Sequence, residues 1–587
     1  MIKDVDGQAM LERCGISAKA WRIVRNILWI GTILATIKLI FVDYTLDEEY
    51  QIVMAYRNLS GDHLFKEMWE PHQTSAFLCA LFMGLFKMVT GTTTGIILYL
   101  RMVTTVIHGS LSYWVYRTFL KRIDKEYAFL LAMLFYNISP KNIHIPEFGN
   151  MQLWFLTIAV LALMKYYEDF EGKQWYLLIV AGISLSCEIL TYPTCVVLYP
   201  FFVLYIIRKS ANQKVRDGVL FTLTCAASAV VWCAFVFKNV GLEEFLGNLK
   251  NLLAFDPTHD VSGMTGVKGQ TYIDNIILWT AWSLIIVVLS GLGTLLIAQK
   301  YKKANEPLTK KQKGVVFWST SLLISQLVQG CYWLFFNGGY EYLQIHFLFV
   351  LIATVALWRN AGTLKSELGW GIIATLVAYV AVMYISDLTI YNTLPHGALG
   401  IVFCMAIIIT AVEDTMQGKG KAIAVVLVVT LCIAGIGARG YTLRGGKANN
   451  TIFAIAGIMK QGPAAGILAD YMSAYIYNCN YEDFGQYVQP EENVLIVANM
   501  VMAPGTTSYM FRESEISHFS IVDPTTYDEK LLTYWEKYPE KTPDVIVVDC
   551  WYGELQESSD SWIMKYIEND FGYTSVNDGR YVRFYRK

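Results

Sequence analysis

Apolar residues fill most of the first 440 positions in long runs that short polar segments separate. A helix needs about 20 predominantly apolar residues to cross the hydrocarbon core of a bilayer. The pattern therefore predicts a polytopic α-helical membrane protein. Fourteen candidate runs lie at 23–42, 73–90, 95–120, 127–140, 151–167, 175–191, 194–208, 219–238, 275–298, 315–336, 344–358, 370–386, 398–414 and 421–439.

The basic residues predict the orientation of these runs. Arg22 and Arg25 precede or open the first run, so the positive-inside rule places the N-terminus in the cytoplasm. If 73–90 crossed the membrane, the next span would leave Lys121 and Arg122 outside. We therefore predict that 73–90 lies on or dips into the outer leaflet. This leaves about 13 transmembrane helices, a cytoplasmic N-terminus and an extracytoplasmic C-terminus.

The pattern changes after residue 440, where short strand-like runs alternate with helical periodicity. This alternation predicts a small α/β domain at 441–587, outside the membrane, after a transmembrane domain at 1–440. An outer loop at 43–94 would hold the candidate chemistry. The predicted strands are Asn493–Ala498, Ser517–Val522, Asp544–Val548 and Tyr581–Phe584, and the predicted helices are Pro463–Ile476, Tyr527–Trp535 and Trp562–Ile567.

Composition supports a membrane protein. Of 587 residues, 55% are hydrophobic and only 16% are charged, and a net charge of −2 argues against binding nucleic acid through a basic surface. The eleven cysteines show no metal-binding spacing. Cys479 and Cys550 both fall in the C-terminal domain, and the sequence leaves open whether they pair or remain buried thiols.

An acidic cluster, Asp47-Glu48-Glu49-Tyr50, follows the first span directly. Its helical spacing continues to Leu59, so one interpretation is an amphipathic helix on the membrane whose first turn carries solvated carboxylates. Ionisable groups at a membrane surface are also candidates for function. A carboxylate in this place could act as a general base.

Other ionisable residues gather on the predicted outer side. Seven of the eight histidines fall outside the membrane or at the outer ends of spans, and only His108 lies in the middle of a span. Each of them could equally anchor a helix at the interface. The seven are His63, His72, His144, His259, His346, His396 and His518.

These motifs, taken in order, resemble the membrane glycosyltransferases of the GT-C class. The similarity is to the protein O-mannosyltransferase and aminoarabinose transferase group, which uses polyprenyl-phosphate sugars, and it covers roughly residues 20–350. The matching elements are Asp47-Glu48 with Tyr50, Arg57-Asn58-Leu59, Leu100-Arg101, Ser139-Pro140, Leu190-Thr191-Tyr192-Pro193 and the outer loop that ends Asp256-Pro257-Thr258-His259.

The resemblance implies roles for individual residues. Asp47 would be the general base, with Glu48 as the alternative. Arg101, His259 and His346, with His72 and Tyr192, would contact the donor phosphate. The sequence differs from the family's motifs at two places. Tyr192 stands where the family has a lysine, and Glu70-Pro71-His72 stands where it has a Lys-Pro-Pro element. Glu70 could hold a divalent cation or brace the loop, so metal dependence stays open.

The sequence thus predicts transfer of a sugar, with inversion, from a polyprenyl-phosphate-linked donor to an envelope glycan, lipid or protein at the outer face of a cell membrane. A bacterial source is expected, because the chain lacks a eukaryotic insertion domain. A transporter or flippase of lipid-linked sugars is the main alternative, although no internal repeat is evident. An inactive glycan-binding scaffold is the other.

Overall fold

The computed structural model describes residues 17–44, 46–138, 144–168, 174–210, 213–254, 267–336, 344–385, 394–416, 418–443, 450–497, 506–512, 529–551 and 554–587. Most of the first 440 residues are helical, as the apolar runs predicted. The helices are α1 (Ala18–Phe41), α2 (Leu46–Leu59), α3 (Gln73–Thr90), α4 (Ile96–Phe119), α5 (Lys125–Asn137), α6 (Phe148–Glu168), α7 (Tyr176–Thr191), α8 (Leu198–Lys209), α9 (Lys214–Phe237), α10 (Leu242–Ala254), α11 (Val267–Lys303), α12 (Lys310–Phe336), α13 (Gln344–Leu357), α14 (Leu364–Ile385), α15 (Ala398–Met416) and α16 (Gly418–Tyr441).

Among the described residues, nine helices are long and apolar enough to cross a bilayer, and two further apolar helices are shorter. Many of their apolar side chains are exposed, notably along α1, α9 and α11, as expected where helices face lipid. The polytopic helical architecture predicted from the sequence is confirmed. The number of thirteen spans stays a prediction, since length and composition do not by themselves decide which helices cross.

Helix α3 packs along α2, and its two ends are held by contacts with α2 and with the C-terminal domain. At its beginning, Ser75 Oγ donates to Gln51 Oε1 on α2 at 3.1 Å. Towards its end, Lys87 Nζ lies 4.9 Å from the ring centre of Tyr56, also on α2. Just beyond the end, the Gly95 N–H donates to the Gly462 carbonyl in the C-terminal domain at 3.0 Å. The surface position of 73–90 stays a prediction, because α3 is itself one of the nine helices that are long and apolar enough to cross.

The C-terminal domain contains a five-stranded mixed sheet with the order β3-β4-β7-β6, with β5 paired to β4. Strands β3 and β4 are parallel, and the other pairs are antiparallel. Helices pack beside this sheet, so the predicted small α/β domain is present. Its elements are β1 (Ile455–Ile458), β2 (Leu468–Asp470), α17 (Tyr471–Tyr487), β3 (Val494–Val497), α18 (Glu529–Lys537), β4 (Val545–Trp551), β5 (Glu554–Leu555), α19 (Trp562–Tyr566), β6 (Ser575–Asp578) and β7 (Val582–Arg586).

The predicted first residue of one helix in this domain is wrong. The chain forms turns and strand β2 before the helix begins at Tyr471, eight residues later than predicted from Pro463. Gly462 and Gly466 have φ values of 67° and 90°, which an α-helix does not contain. The side chain of Asp470 then accepts the Ser473 N–H and caps the helix. The strand predicted at Ser517–Val522 lies outside the described residues.

Strand β4 lies at the centre of the sheet and is buried on both faces. Val545 and Val547 face a core that the C-terminal domain shares with α2, α3 and the first turn of α4. Ile546 and Val548 point to the other face, where a second core includes Trp69 of the outer loop. Successive side chains of a strand alternate between faces, so one strand joins both cores. The domain and the loop that follows α1 therefore form one packed unit.

Both buried cysteines of this domain, Cys479 and Cys550, are free thiols. The pairing that the sequence left open is therefore not formed.

Candidate active site

The acidic cluster lies where α1 ends and the amphipathic helix α2 begins. Asp43, at the junction, has φ of 70°, and its N–H donates to the Leu468 carbonyl of β2 at 2.8 Å. The hydroxyl of Tyr44 donates to Thr507 at 2.7 Å. The C-terminal domain therefore holds the turn after α1. The structure describes the backbone of Asp47, in the first turn of α2, but not its side chain.

Glu48, the next residue, forms a buried ion pair with Arg101 on α4. Arg101 Nε lies 3.0 Å from Glu48 Oε1, and Arg101 Nη2 lies 2.6 Å from Oε2. Both residues are almost fully buried, at 1% and 2% exposed. A bidentate geometry is the strongest arrangement between these two groups. The pair therefore fixes the first turn of α2 against α4.

The remaining donors of Arg101 bind the end of α1. Nη1 donates to the carbonyls of Ile40 and Val42 at 3.1 and 3.3 Å, and Nη2 donates to that of Asp43 at 2.7 Å. A guanidinium has five N–H groups, and these three bonds with the two to Glu48 use all five. In this conformation, a phosphate contact by Arg101 would have to replace one of them. The predicted phosphate-binding role stays a prediction, whereas a role in holding the site together is evident.

More buried polar side chains lie near this pair, between the ends of α1, α4, α5 and α16. Lys38 Nζ is 3.5 Å from the Leu443 carbonyl, and His144 Nε2 is 2.8 Å from Thr105 Oγ1. Arg439 donates to the Tyr136 carbonyl at 2.5 Å. Buried ionisable groups are costly at the end of a membrane helix, so this concentration makes the region the candidate site.

His72 and Tyr192, which the sequence predicted as phosphate contacts, lie side by side. The His72 ring stacks on Phe148 at 4.0 Å between centroids, and Tyr192 meets it edge-on at 5.5 Å. Tyr192 is also edge-on to His396, at 5.7 Å. His72 has φ of 63°, in the left-handed region that residues other than glycine seldom adopt. These four rings form what we call the aromatic cluster: His72, Phe148, Tyr192 and His396.

Two links join the aromatic cluster to the Glu48–Arg101 pair. The hydroxyl of Tyr50 on α2 donates to the Pro71 carbonyl at 3.1 Å, next to His72. The segment from His144 to Gln152 runs from the polar residues around Arg101 to the aromatic cluster. In that segment, Glu147 accepts the backbone N–H groups of Gly149 and Asn150, at 2.7 and 2.5 Å, and caps α6. The predicted residues Glu48, Arg101, His72 and Tyr192 thus belong to one connected region.

A buried chain of three polar residues adjoins this region and was not predicted as a unit. Gln152 Nε2 donates to Glu188 Oε1 at 2.9 Å, and Gln152 Oε1 is 3.0 Å from His396 Nδ1. All three side chains are fully buried. In the sequence they are 36 and 244 positions apart, so no local spacing could join them. The sequence pointed to these residues only in that Glu188 and His396 lie at the ends of apolar runs.

Glu70 braces the outer loop. Its carboxylate binds the Arg57 guanidinium and accepts the Trp69 N–H at 2.9 Å, and it is fully buried. Arg57 also binds Asp62 at 2.7 Å. Of the two roles that the sequence left open for Glu70, these contacts favour bracing. In the described part of the chain, no three His, Cys, Asp or Glu residues are grouped to hold a metal ion.

The Arg57 network continues into the C-terminal domain. Lys541 Nζ lies 2.5 Å from Asp62 Oδ1, and the Tyr534 hydroxyl donates to the Glu67 carbonyl at 2.7 Å. Burial raises the pKa of Asp62, but the charges of Arg57 and Lys541 outweigh burial and hold its pKa below the ordinary value. The carboxylate therefore stays ionised and joins the loop to the domain.

Two predicted histidines are not part of this region as described. His346 lies at the start of α13, where its Nδ1 is 2.8 Å from Ser325 Oγ on α12 and its ring is fully buried. His259 lies outside the described residues, as does Asp256. Their predicted contacts with a donor phosphate stay predictions.

Comparisons with known proteins give structural similarities only. No family model and no curated protein matches the sequence. The oligosaccharyltransferase AglB from Archaeoglobus fulgidus, solved with an inhibitory peptide and a dolichol-phosphate, is 12% identical, with a TM-score of 0.44 over 90% of this chain and 69% of that one. ArnT from Cupriavidus metallidurans, solved with undecaprenyl phosphate, is 11% identical. The match has a TM-score of 0.41 and covers 97% of this chain and 98% of ArnT.

Both of these proteins are GT-C glycosyltransferases, the class that the sequence motifs resemble. Both TM-scores lie below 0.5, so these similarities assign no activity to this chain.

Proposed function

We propose that this protein transfers a sugar from a polyprenyl-phosphate-linked donor to an acceptor on the face of the membrane that carries the C-terminal domain. The observation that supports it best is the buried Glu48–Arg101 pair. This pair holds the first turn of α2, which contains Asp47, at the end of α1, and the neighbouring Asp43 and Tyr44 bind the C-terminal domain. A lipid-linked donor and a polar acceptor would meet at such a boundary.

Asp47 is the proposed general base. The acceptor hydroxyl must lose its proton as its oxygen attacks the anomeric carbon, and a nearby carboxylate accelerates such a step by roughly 10²- to 10⁴-fold. Glu48 is the less suitable candidate, because Arg101 already engages both of its oxygens. The two neighbouring carboxylates therefore have separate tasks, with Asp47 taking the proton and Glu48 fixing the turn.

His72 and Tyr192 are the proposed contacts for the leaving phosphate. The C–O bond to the phosphate breaks as the bond to the acceptor forms, so negative charge grows on the phosphate oxygens. Hydrogen-bond donors fixed in a water-poor site stabilise that charge. The stacked and edge-on packing of these two residues holds their rings in place. Arg101, His259 and His346 remain candidates through the sequence resemblance alone.

A single displacement of this kind inverts the anomeric centre. It needs no activated water, so the second carboxylate that glycoside hydrolases use is not required. A divalent cation at Glu70 has little support, since Arg57 and the Trp69 N–H occupy that carboxylate. No step of the proposed reaction uses a metal.

The basic residues after α4 support one orientation of the protein in the membrane. Lys121 and Arg122 follow α4 at the end opposite Gly95, and 24 residues of helix separate the two ends by about 36 Å. Basic residues favour the cytoplasmic side. This supports a multi-pass protein of a cell membrane whose C-terminal domain, with the candidate site, faces outward.

The test is sugar transfer by the purified protein in proteoliposomes, with polyprenyl-phosphate sugars as donors and an envelope extract as acceptor. Loss of transfer in Asp47→Asn, with transfer kept in the matched control Glu243→Gln on an exposed face of α10, would support the enzyme. Equal transfer by both variants would remove Asp47 as the base. Movement of donor across the bilayer without transfer would favour the flippase instead.

A further inference from the structure

An uncharged apolar segment lies at the beginning of the C-terminal domain. From Thr451 to Met459 it reads Thr-Ile-Phe-Ala-Ile-Ala-Gly-Ile-Met, and it contains a short turn and strand β1. Phe453, in the turn, is 82% exposed, the highest value among the large hydrophobic residues that the structure describes. Exposed apolar surfaces of this kind mark places where a protein contacts a partner or a membrane.

The fold holds Phe453 beside the end of α16. Thr442, the first residue after that helix, pairs with Thr451 in an antiparallel bridge. The chain that leaves the helix is therefore met by the segment that returns two residues before Phe453. The ring of Phe453 then meets the ring of Tyr441, the last residue of α16, edge-on at 6.2 Å between centroids.

An exposed face of α16 runs along the helix to the same place. Val426, Ile433, Gly437 and Tyr441 are all exposed, and their steps of seven, four and four residues keep them on one face of a helix. A Cβ added to Gly437 would meet no atom within 4 Å, so this face is open. Helix α16 is long and apolar enough to cross a bilayer, and an exposed apolar face of such a helix contacts lipid.

The opposite side of β1 is packed within the domain. Gly457 lies so close to α17 that an added Cβ would come within 2.6 Å of the Ala474 Cβ. Exposure alternates along the strand, and Ala456 and Ile458 are the exposed residues. The strand thus has a packed side and an apolar side that nothing in the chain covers.

We propose that Phe453 and the exposed side of β1 insert into the membrane leaflet that faces the C-terminal domain. The lipid-facing side of α16 continues through Tyr441 to Phe453, so lipid is the occupant that this continuity favours. Aromatic rings collect at the membrane–water boundary, and an apolar surface buried there stabilises the attachment of a domain. The segment is an anchor that is separate from the transmembrane helices.

The anchor is also connected to the turn after α1. Strand β1 pairs with β2, and the Leu468 carbonyl of β2 accepts the Asp43 N–H at 2.8 Å. Insertion of Phe453 would therefore fix the height of that turn relative to the membrane surface. The anchoring does not depend on the proposed sugar transfer, because no residue of the anchor takes part in the reaction.

The first test is photo-cross-linking of the full-length protein in liposomes of phosphatidylethanolamine and phosphatidylglycerol. The photoreactive residue p-benzoylphenylalanine takes the place of Phe453, and the irradiated protein is digested and analysed by mass spectrometry. We expect a phospholipid adduct on the peptide that contains position 453. The matched control carries the same residue in place of Tyr573, which is exposed on a polar part of the domain after Asn569 and Asp570. The control should give no lipid adduct.

Three outcomes of this test would overturn the proposal. One is the absence of a lipid adduct at position 453, and another is an equal yield of adduct at positions 453 and 573. The third is a cross-link between two copies of the chain, which would assign the apolar surface to self-association.

The second test is hydrogen exchange of residues 451–459 in the same liposomes. Phe453→Asp should lower their protection about tenfold, because burial of a large apolar side chain contributes at least that factor. Phe453→Leu should keep most of the protection, and Tyr573→Asp should leave it unchanged. Since Phe453 is 82% exposed, the substitution removes little packing within the domain. Equal protection in the wild type and in Phe453→Asp would overturn the proposal as well.

Discussion

Glu48 and Arg101, which are 53 positions apart in the sequence, form a bidentate ion pair that is closed off from solvent. The pair connects the helix that begins at the acidic cluster with α4, which runs from Ile96 to Phe119. Because Arg101 also binds three carbonyls at the end of α1, it sets the direction in which the chain leaves the membrane. The position of Asp47 depends on this arrangement.

Removing one partner of this pair should destabilise the protein. Glu48→Gln leaves a buried guanidinium without its counter-charge, and such a loss costs about 3–5 kcal/mol. We expect a clearly lower midpoint of thermal unfolding in detergent. Glu243→Gln, at an exposed glutamate, should leave the midpoint within error. An unchanged midpoint for Glu48→Gln would show that the pair does not hold the turn.

Asp47→Asn should behave differently from Glu48→Gln. If Asp47 is the base, its replacement lowers the rate of sugar transfer by roughly 10²- to 10⁴-fold while the fold is kept. The measurement is initial rate at saturating donor, together with the unfolding midpoint. Loss of rate with a normal midpoint is the expected pair of results. Loss of both would indicate a structural role for Asp47 instead.

The Arg57 network should make the outer loop sensitive to acid. The pKa of Asp62 lies below its ordinary value of 3.8 in the folded protein, so the carboxylate stabilises the folded state above about pH 4. That contribution is lost as the pH falls from there through the lower folded pKa. The protection of residues 60–70 against hydrogen exchange, relative to the intrinsic exchange rate at each pH, should therefore fall at low pH.

Asp62→Asn should remove this pH dependence and speed exchange already at pH 7. Asp560→Asn serves as the matched control, because the side chain of Asp560 is 93% exposed. If the two variants show the same exchange in residues 60–70, then Asp62 does not join the loop to the C-terminal domain.

Gln152→Leu tests the buried chain from Glu188 to His396. The leucine would leave both neighbours without the hydrogen bonds that the amide gives them, and an unsatisfied buried polar group costs about 1–3 kcal/mol. A lower unfolding midpoint is expected. Gln270→Leu, at an exposed position of α11, should have little effect. Equal midpoints would mean that water or another group replaces the amide.

The sequence predicted most of the helical framework, because membrane insertion and helix formation depend on runs of neighbouring apolar residues. The runs at 23–42 and 398–414 correspond closely to α1 and α15. Strands β3 and β4 were also predicted, from short apolar segments between turns. Helix α17 was predicted too early, since the positive φ angles of Gly462 and Gly466 follow from the packed chain and not from apolar periodicity.

The candidate site shows more clearly which features the sequence determines and which ones only the folded structure decides. The chain by itself determined that carboxylates follow the first span and that His72, Arg101 and Tyr192 are unusual polar residues near span ends. Only the tertiary structure decided that Glu48 is bound to Arg101, that Glu70 is bound to Arg57, and that Gln152 connects Glu188 to His396. Ion pairs and buried hydrogen bonds depend on distances of about 3 Å between groups far apart in sequence, and folding alone brings such groups together.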